Sequence, residues 1–178
     1  MRGLFGVSAQ FRAQVEGQRE PLYRLGYSWC RDAALADDLV QEAMLRALDR
    51  GAQLNDAQRL KAWLCAILAN CLKDHYRRAR PLDPLDDEMP SGGDSPETAS
   101  ASSQLAARVR AEVGRLPLGQ RQVVTLVDLE GFSYAEVGQI LEVPIGTVMS
   151  RLCRAREALR ARLIDFAAGQ NNKIRSIR

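Results

Sequence analysis

Apolar residues return every three or four positions along most of this chain, a spacing that predicts amphipathic helices. In the first of these stretches Pro21 suggests that the helix breaks or restarts. No alternating strand pattern competes with the helical one, so the predicted fold class is all-α. The apolar stripes occupy residues 11–29, 35–48, 60–72, 105–113 and 123–129.

A stretch of different composition divides these helices into two groups. Residues 81–103 are rich in Pro, Gly, Ser, Ala and acidic residues and contain few large apolar ones. Such a segment cannot bury enough surface to fold alone. We interpret it as a flexible acidic linker between two small helical domains, residues 8–80 and 104–168. Residues 169–178 are polar and basic, which favours a disordered tail.

The segment after Gly131 has the pattern of a helix-turn-helix, with a short helix, a tight break and a second helix. Ser133 and Glu136 form the S-x-x-E capping box, which opens a helix by satisfying its first amides. Pro144 cannot continue that helix but suits the first turn of the next. Two helices joined this tightly form the module that places its second helix in a DNA major groove.

The second helix of this pair combines an apolar stripe, at residues 148–159, with side chains that suit DNA. Arginine can pair bidentately with guanine, and hydroxyl groups can reach bases or phosphates. Duplex DNA is therefore the leading partner, and a solvated arginine face in a helical bundle is the alternative. The predicted DNA-facing residues are Thr147, Ser150, Arg151 and Arg154.

The distribution of charge supports a nucleic-acid partner more than the total does. The formal net charge is only +3, which is modest for a protein that binds DNA through its own charge alone. The positive residues are concentrated at 73–80 and at 151–162, and the second segment carries five arginines against one glutamate. The two basic segments lie on either side of the acidic linker.

The pattern of potential ligands argues against a metal site, a cofactor or catalysis. The four cysteines form no C-x-x-C pair. His75, the single histidine, lies four residues after Cys71 with no evident fourth ligand. Asp37, Asp38 and Glu42 would suit a nuclease-like cluster, but no further carboxylates converge on them by motif. We expect no metal, no cofactor and no enzymatic activity.

The chain carries no apolar run long enough to span a membrane, and its first residues lack the hydrophobic region of a signal peptide. The scattered cysteines do not form a disulfide framework. We therefore expect a cytoplasmic protein with reduced cysteines and no membrane insertion.

Three motifs follow one another along the chain: ADDLVQEAMLRAL at residues 36–48, LKAWLCAILANCLKDHYRRAR at residues 60–80, and a segment at residues 116–159 that includes the helix-turn-helix. Together they resemble bacterial sigma factors of the extracytoplasmic-function (ECF) group, the smallest members of the sigma-seventy family. The resemblance covers residues 8 to 166. It implies that 8–80 is sigma region two and 104–168 sigma region four. It further implies a protein that binds core RNA polymerase and directs promoter-specific transcription, in a stress or environmental response.

The resemblance implies a role for each motif. The first resembles the helix that grips RNA polymerase, the second resembles the segment that melts and reads the minus-ten element, and the third resembles the module that reads the minus-thirty-five element. The implied polymerase-binding residues are Asp38, Leu39, Gln41 and Glu42. The implied minus-ten residues are Trp63, Asn70, Lys73, Arg77 and Arg78. The helix-turn-helix residues given above are assigned to the minus-thirty-five element.

The chemistry of the second motif agrees with strand opening. Flipped bases need amide-lined or aromatic pockets together with basic groups on the phosphates. Asn70 suits contact with an unpaired base, because an amide inside a helix has little packing value. Trp63 lies in the apolar stripe and suits the core equally well.

The partners that the resemblance implies are core RNA polymerase, promoter DNA and an anti-sigma factor, for a chain that is a monomer when free. Two other functions stay open. A stand-alone helix-turn-helix regulator would leave the first two motifs without a role, and a sigma mimic that sequesters an anti-sigma factor would not need the basic residues. The chain also departs from the family pattern at Met149, where many members carry Lys or Arg.

Overall fold

The computed structural model describes residues 8–51, 54, 56–79 and 101–175. All regular structure in these ranges is helical, as the apolar pattern predicted. In chain order the helices are α1 (Ala9–Gly17), α2 (Arg19–Cys30), α3 (Ala33–Asp49), a short 3-10 turn (Ala57–Arg59), α4 (Leu60–Ala79), α5 (Ala101–Gly114), α6 (Leu118–Val124), a π-helical turn (Thr125–Leu129), α7 (Tyr134–Leu141) and α8 (Ile145–Arg175).

The helices of the first domain begin and end at recognisable capping residues. The Ser8 hydroxyl accepts a hydrogen bond from the Phe11 amide and caps α1, and the Asp32 carboxylate accepts one from the Leu35 amide and caps α3. The break between the first two helices lies at Gln18 rather than at Pro21. Pro21 instead occupies the first turn of α2, where its missing N–H costs no helical hydrogen bond.

The core of the first domain forms where α3 packs against both α2 and α4. The apolar stripes meet there, because each helix buries one face and leaves the opposite face to solvent. The largest completely buried side chains of this domain include Trp29, Val40, Leu64, Leu68 and Leu72. Leu64, Leu68 and Leu72 belong to the apolar stripe that predicted α4, so this stripe contributes most of these side chains to the core.

In the second domain α8 packs against α5, α6 and α7. Leu116, Val123, Leu126, Val137 and Val148 fill its core. Glu112 on α5 is also completely buried, and three arginines surround its carboxylate. The distances to Glu112 are 2.7 Å from Arg108, 2.8 Å from Arg115 and 3.8 Å from Arg162. A buried carboxylate needs such partners, and this cluster ties α5 to α8.

The two domains pack directly against each other. Helix α4 lies against α7, and α2 lies against α5 and α6. The buried apolar residues of the two domains form one continuous cluster. The amino-acid pattern predicted two domains but gave no indication that their cores would join.

The structure extends the second domain beyond the range predicted for it. Helix α5 begins at Ala101, inside the segment interpreted as a linker, and α8 continues to Arg175, inside the segment interpreted as a disordered tail. The remainder of the predicted linker and residues 176–178 lie outside the described residues. None of the described helices is long and apolar enough to cross a membrane.

The burial of the cysteines leads to a prediction about their reactivity. Burial raises the pKa of Cys65 to about 12, with Glu130 adding to the effect, and burial raises the pKa of Cys71 to about 11. The thiolate is the reactive form, so both thiols should resist iodoacetamide near neutral pH. The exposed Cys153 should react readily. Mass spectrometry after timed labelling measures the rate at each cysteine, and labelling in urea is the control. Equal rates at Cys65 and Cys153 in the folded chain would contradict the prediction.

Candidate nucleic-acid interface

The helix-turn-helix begins with the capping box that the sequence predicted. The Ser133 hydroxyl accepts a hydrogen bond from the Glu136 amide at 3.3 Å, and the Ser133 amide donates one to the Glu136 carboxylate at 2.8 Å. Hydrogen bonds from the hydroxyl and the amide of Ser133 to this carboxylate lower the pKa of Glu136. The start of α7 is therefore fixed by two residues three positions apart.

The turn between α7 and α8 is built around Glu142, which adopts the left-handed conformation with φ 55°. A residue with a side chain rarely adopts this conformation and does so at some energetic cost. The Val143 amide donates to the Gly138 carbonyl at 3.0 Å and closes the turn. A Cβ atom on Gly138 would lie only 3.1 Å from the Val143 oxygen, so this position favours glycine. The turn thus presents the Glu142 side chain to solvent.

Helix α8 presents its predicted DNA-reading residues around an anchored stripe. Val148, Leu152 and Ala155 are buried against the rest of the domain. Among the four predicted contacts, Ser150 and Arg154 are exposed, whereas Thr147 and Arg151 are half-buried. Met149 is 53% exposed, so α8 presents an apolar side chain to solvent beside Ser150.

Helix α4 presents the predicted minus-ten residues along one surface. Lys73, Arg77 and Arg78 are exposed, and Asn70 is half-buried. Trp63 is half-buried and packs against the core, with its ring centroid 6.4 Å from that of Phe11. Its packing role is therefore visible, while a contact with an unpaired base stays a prediction.

The predicted polymerase-binding residues fall into two groups on α3. Asp38 and Gln41 are exposed and Glu42 is half-buried, so their polar atoms lie at the surface. Leu39 is only 3% exposed and belongs to the core. Its side chain packs within the domain, and its assignment to the polymerase-binding surface stays a prediction.

An ionic network connects the predicted polymerase surface with the predicted minus-ten surface. Arg46 Nη2 lies 2.5 Å from the Glu42 carboxylate, and Arg46 Nη1 lies 3.1 Å from that of Asp74. Asp74 also pairs with Arg77 at 2.9 Å, and Glu42 lies 3.9 Å from Arg78. The pairs link α3 to α4 and orient the two arginines that would contact DNA.

The second domain reaches the predicted minus-ten surface through Glu142. Asn70 Nδ2 donates to Glu142 Oε1 at 3.4 Å, and Lys73 Nζ lies 3.5 Å from Glu142 Oε2. These residues and Arg151 line a cleft of about 210 Å³ between the domains. No sequence pattern marks Glu142 as a residue that contacts α4, because a charged residue in a turn ordinarily indicates only solvent exposure.

A second ionic contact between the domains lies near the start of α4. Lys61 Nζ lies 2.8 Å from a carboxylate oxygen of Glu130 and also donates to the Glu130 carbonyl at 3.2 Å. Lys61 additionally lies over the ring of Phe132, with Nζ 5.1 Å from the ring centroid. The interface between the domains is thus polar at its edges.

Among the described residues no three His, Cys, Asp or Glu side chains are grouped closely enough to hold a metal ion. Cys71 is completely buried and His75 is exposed. The predicted DNA-facing residues include cations, an amide and hydroxyls, which are groups that contact phosphates and base edges.

Comparison with protein families assigns each domain to a known module. Residues 15–81 match sigma-70 region 2, and residues 106–159 match sigma-70 region 4. One match lies in each domain, and the two stand in the order that the sequence motifs predicted.

Characterised relatives match over nearly the whole chain. The ECF RNA polymerase sigma factor SigW of Bacillus subtilis is 31% identical over 173 residues, which span 90% of this chain and 92% of SigW. The ECF RNA polymerase sigma factor EcfG of Rhodopseudomonas palustris is 35% identical over 150 residues, which span 82% of each chain.

Solved structures show the same arrangement of helices. The sigma factor RpoE from Bartonella quintana, in complex with the anti-sigma factor NepR, superposes with a TM-score of 0.74 at 25% identity, covering 88% of this chain and 98% of RpoE. CnrH in complex with the cytosolic domain of CnrY superposes with a TM-score of 0.63 at 25% identity, covering 90% of this chain and 91% of CnrH.

The capping box provides a test of how α7 is held. Ser133→Ala should lower the free energy of unfolding by about 1 kcal/mol, because the amide of Glu136 loses its acceptor. Urea denaturation at neutral pH measures the change, and Ser133→Thr, which keeps the hydroxyl, is the control.

The pH dependence of this difference has a definite sign. Because the folded pKa of Glu136 is lowered, its contribution to stability is present above the unfolded pKa and decreases as pH falls through the folded pKa. The difference between Ser133→Ala and the unmodified chain should therefore shrink in acid. A difference that grows in acid would contradict this account of the capping box.

Proposed function

The chain belongs to the ECF group of the sigma-seventy family and is an RNA polymerase sigma factor that acts in transcription initiation, and we propose that its two domains read two separate promoter elements. The first domain would bind core polymerase and the opened minus-ten element. The second would bind the minus-thirty-five element as a duplex. The observation that supports this division is that the residues predicted to read DNA lie on two different helices, α4 and α8, and differ in chemistry.

The proposed role of the second domain rests on the exposed part of α8. Ser150 and Arg154 project from a helix whose inner stripe is anchored in the core. A helix of this width fits the major groove, where arginine can pair with guanine and a hydroxyl can reach a base or a phosphate. Thr147 and Arg151 belong to the same proposed surface, closer to the first domain.

The proposed role of the first domain rests on two adjacent surfaces. Asp38, Gln41 and Glu42 supply hydrogen-bonding groups on α3 for a polymerase partner. On α4, Asn70 supplies an amide for an unpaired base, and a row of cations would contact the phosphates of the opened strand. The cations of this row are Lys73, Arg77 and Arg78.

We further propose that the chain acts without catalysis, as a dissociable specificity subunit in the cytoplasm, where polymerase and promoter DNA meet. The net charge of +3 agrees with this role. A protein that depends on polymerase for most of its affinity does not need to bind DNA tightly by itself. The match of residues 15–81 to region 2 also gives the first domain a role that a stand-alone helix-turn-helix regulator would not need.

An anti-sigma factor is the proposed regulatory partner. The structurally similar RpoE of Bartonella quintana was solved in complex with the anti-sigma factor NepR. The similarity covers 88% of this chain and 98% of RpoE, so a protein that binds RpoE would find comparable surfaces here. Binding of such a partner would withhold the chain from polymerase.

Run-off transcription tests the proposed function as a whole. The purified chain, core RNA polymerase and a library of bacterial promoters should give transcripts only when both proteins are present. A gel shift of the same DNA with the chain alone should show little binding. Tight binding without polymerase and without transcripts would contradict the proposal and indicate a conventional DNA-binding regulator.

Two arginine substitutions test the division between the domains. Arg154→Ala should reduce transcription from promoters with the preferred upstream element, through a loss of about 1–3 kcal/mol in recognition of one base pair. Arg77→Ala should slow strand opening at every promoter and lower the salt dependence by about one phosphate contact. Run-off transcription and potassium permanganate footprinting measure the two steps.

The controls for these variants remove the same charge elsewhere. Arg160→Ala lies on the exposed face of α8 beyond the predicted contacts, and Arg12→Ala lies on α1. Both should behave like the unmodified chain. If Arg154→Ala and Arg77→Ala reduced both steps equally, the proposed division of labour would be wrong.

A further inference from the structure

The second domain covers part of the surface on α4 that the minus-ten strand would need. We propose that it acts as an internal competitor for that strand, so that in the free chain a carboxylate of the second domain occupies donors that the strand would use. This inference rests on the proposed function, because it takes Asn70 and Lys73 to be minus-ten contacts. It adds a regulatory state to that function.

The competitor group is the carboxylate of Glu142. One of its oxygens accepts a hydrogen bond from Asn70 at 3.4 Å, and the other lies 3.5 Å from the Lys73 ammonium group. An unpaired base or a phosphate would offer the same kind of acceptor to the same two donors. The left-handed conformation of Glu142 places this carboxylate at the tip of the turn, where it reaches across the cleft.

Two flanking contacts hold the turn in this position. Lys61 pairs with Glu130 at 2.8 Å, and Arg59 Nη2 donates to the side-chain oxygen of Gln139 at 3.3 Å. Ion pairs and hydrogen bonds at an exposed surface contribute little each. These contacts at the edge of the interface therefore stabilise the closed arrangement only weakly, and the domains can separate.

The centre of the interface contains a buried hydrogen bond that joins the domains. The indole N–H of Trp29 donates to the Thr125 hydroxyl at 2.8 Å, and that hydroxyl donates to the carbonyl of Arg121 at 2.9 Å. Trp29 is 0% and Thr125 is 1% exposed. When the domains separate, water can form hydrogen bonds with the indole N–H of Trp29 and with the hydroxyl of Thr125. Neither group is therefore left unsatisfied in either state.

A buried arginine opposes the closure. Arg121 is 3% exposed, and its Nε and Nη1 atoms have no hydrogen-bond partner. Burial lowers its pKa, and its charged or titratable neighbours Tyr76, Arg31 and Cys30 all belong to the first domain. Water would satisfy this guanidinium group once the domains separate. The closed state therefore carries a free-energy cost, which allows the domains to separate again.

The closed arrangement covers only part of each predicted DNA-binding surface. On α4, Asn70 lies in the cleft beneath Glu142, whereas Arg77 and Arg78 are exposed. On α8, Ser150 and Arg154 are exposed, whereas Arg151 lines the same cleft as Asn70. The closure therefore acts where Asn70 and Lys73 meet Glu142.

The first experiment detects opening without DNA, through the fluorescence of Trp29. The chain has two tryptophans, so a Trp63→Phe background leaves Trp29 as the single reporter. Thr125→Val removes the acceptor while keeping the shape of the side chain, and it should shift the equilibrium towards the open state roughly tenfold. Acrylamide should then quench Trp29 more strongly, and Thr125→Ser, which keeps the hydroxyl, should leave quenching unchanged.

The second experiment measures competition directly. The probe is a fluorescent single-stranded oligonucleotide that carries the minus-ten sequence of a promoter selected in the run-off assay, and binding to the full chain is followed by anisotropy. Glu142→Gln should tighten binding roughly two- to five-fold, because the surface contact with Lys73 is lost. Glu157→Gln removes the same charge from an exposed position on α8 and is the matched control.

The outcomes separate this inference from the proposed function. Unchanged Trp29 quenching in Thr125→Val, or equal oligonucleotide binding by Glu142→Gln and Glu157→Gln, would overturn internal competition even if the chain transcribes normally with polymerase. If the chain gives no transcripts with polymerase, the proposed function fails, and the quenching of Trp29 still reports whether the domains close.

Discussion

The burial of Trp29 between the two domains is the interaction on which their mutual arrangement depends. Its ring is completely enclosed, and its single polar atom finds a partner in Thr125 of the second domain. Small domains bury a limited fraction of their surface, so two small helical units gain stability when their apolar faces join in one cluster, as they do here. With Trp29 in place, α4 and α7 are brought side by side, and the contacts of the predicted DNA-binding surface follow from that position.

The features that could be predicted from sequence are those set by neighbours along the chain. The capping box joins Ser133 to Glu136 across a single helical turn, and the stripe that anchors α8 repeats at helical spacing. The hydrogen bond between Trp29 and Thr125 joins residues 96 positions apart, and no local pattern encodes it. Leu39 shows a different limit: a motif transferred as a group does not say which side of a helix each member faces, and Leu39 faces inwards.

The buried carboxylate of Glu112 provides a contact for the later part of α8, beyond the residues predicted to read DNA. The carboxylate is surrounded by arginines from α5 and α8, including Arg162, so it holds the later part of α8 against the domain. Breaking such a cluster would leave an uncompensated charge in the interior, which is far more costly than losing a surface pair. Arg162 lies after Ser150 and Arg154 on α8, so this contact is separate from the residues predicted to read DNA. Hydrophobic periodicity alone treats Glu112 as a polar position and cannot reveal this anchor.

The surface of α4 that we propose for nucleic acid is also suited to a carboxylate of the same chain. The donors on α4 select acceptor oxygens by charge and geometry, and they do not distinguish a phosphate or a base edge from the carboxylate of Glu142 at the distances seen here. The balance between the two ligands then depends on cost. The internal ligand is tethered and always present, but its closure buries Arg121 with two unsatisfied nitrogens and is held at the edges by weak surface contacts. Promoter DNA brought by polymerase would face no such cost, because it would occupy the same donors while water returned to Arg121. In the arrangement that we propose, the marginal strength of the closed state would therefore allow one set of side chains to bind first the carboxylate and then the DNA strand.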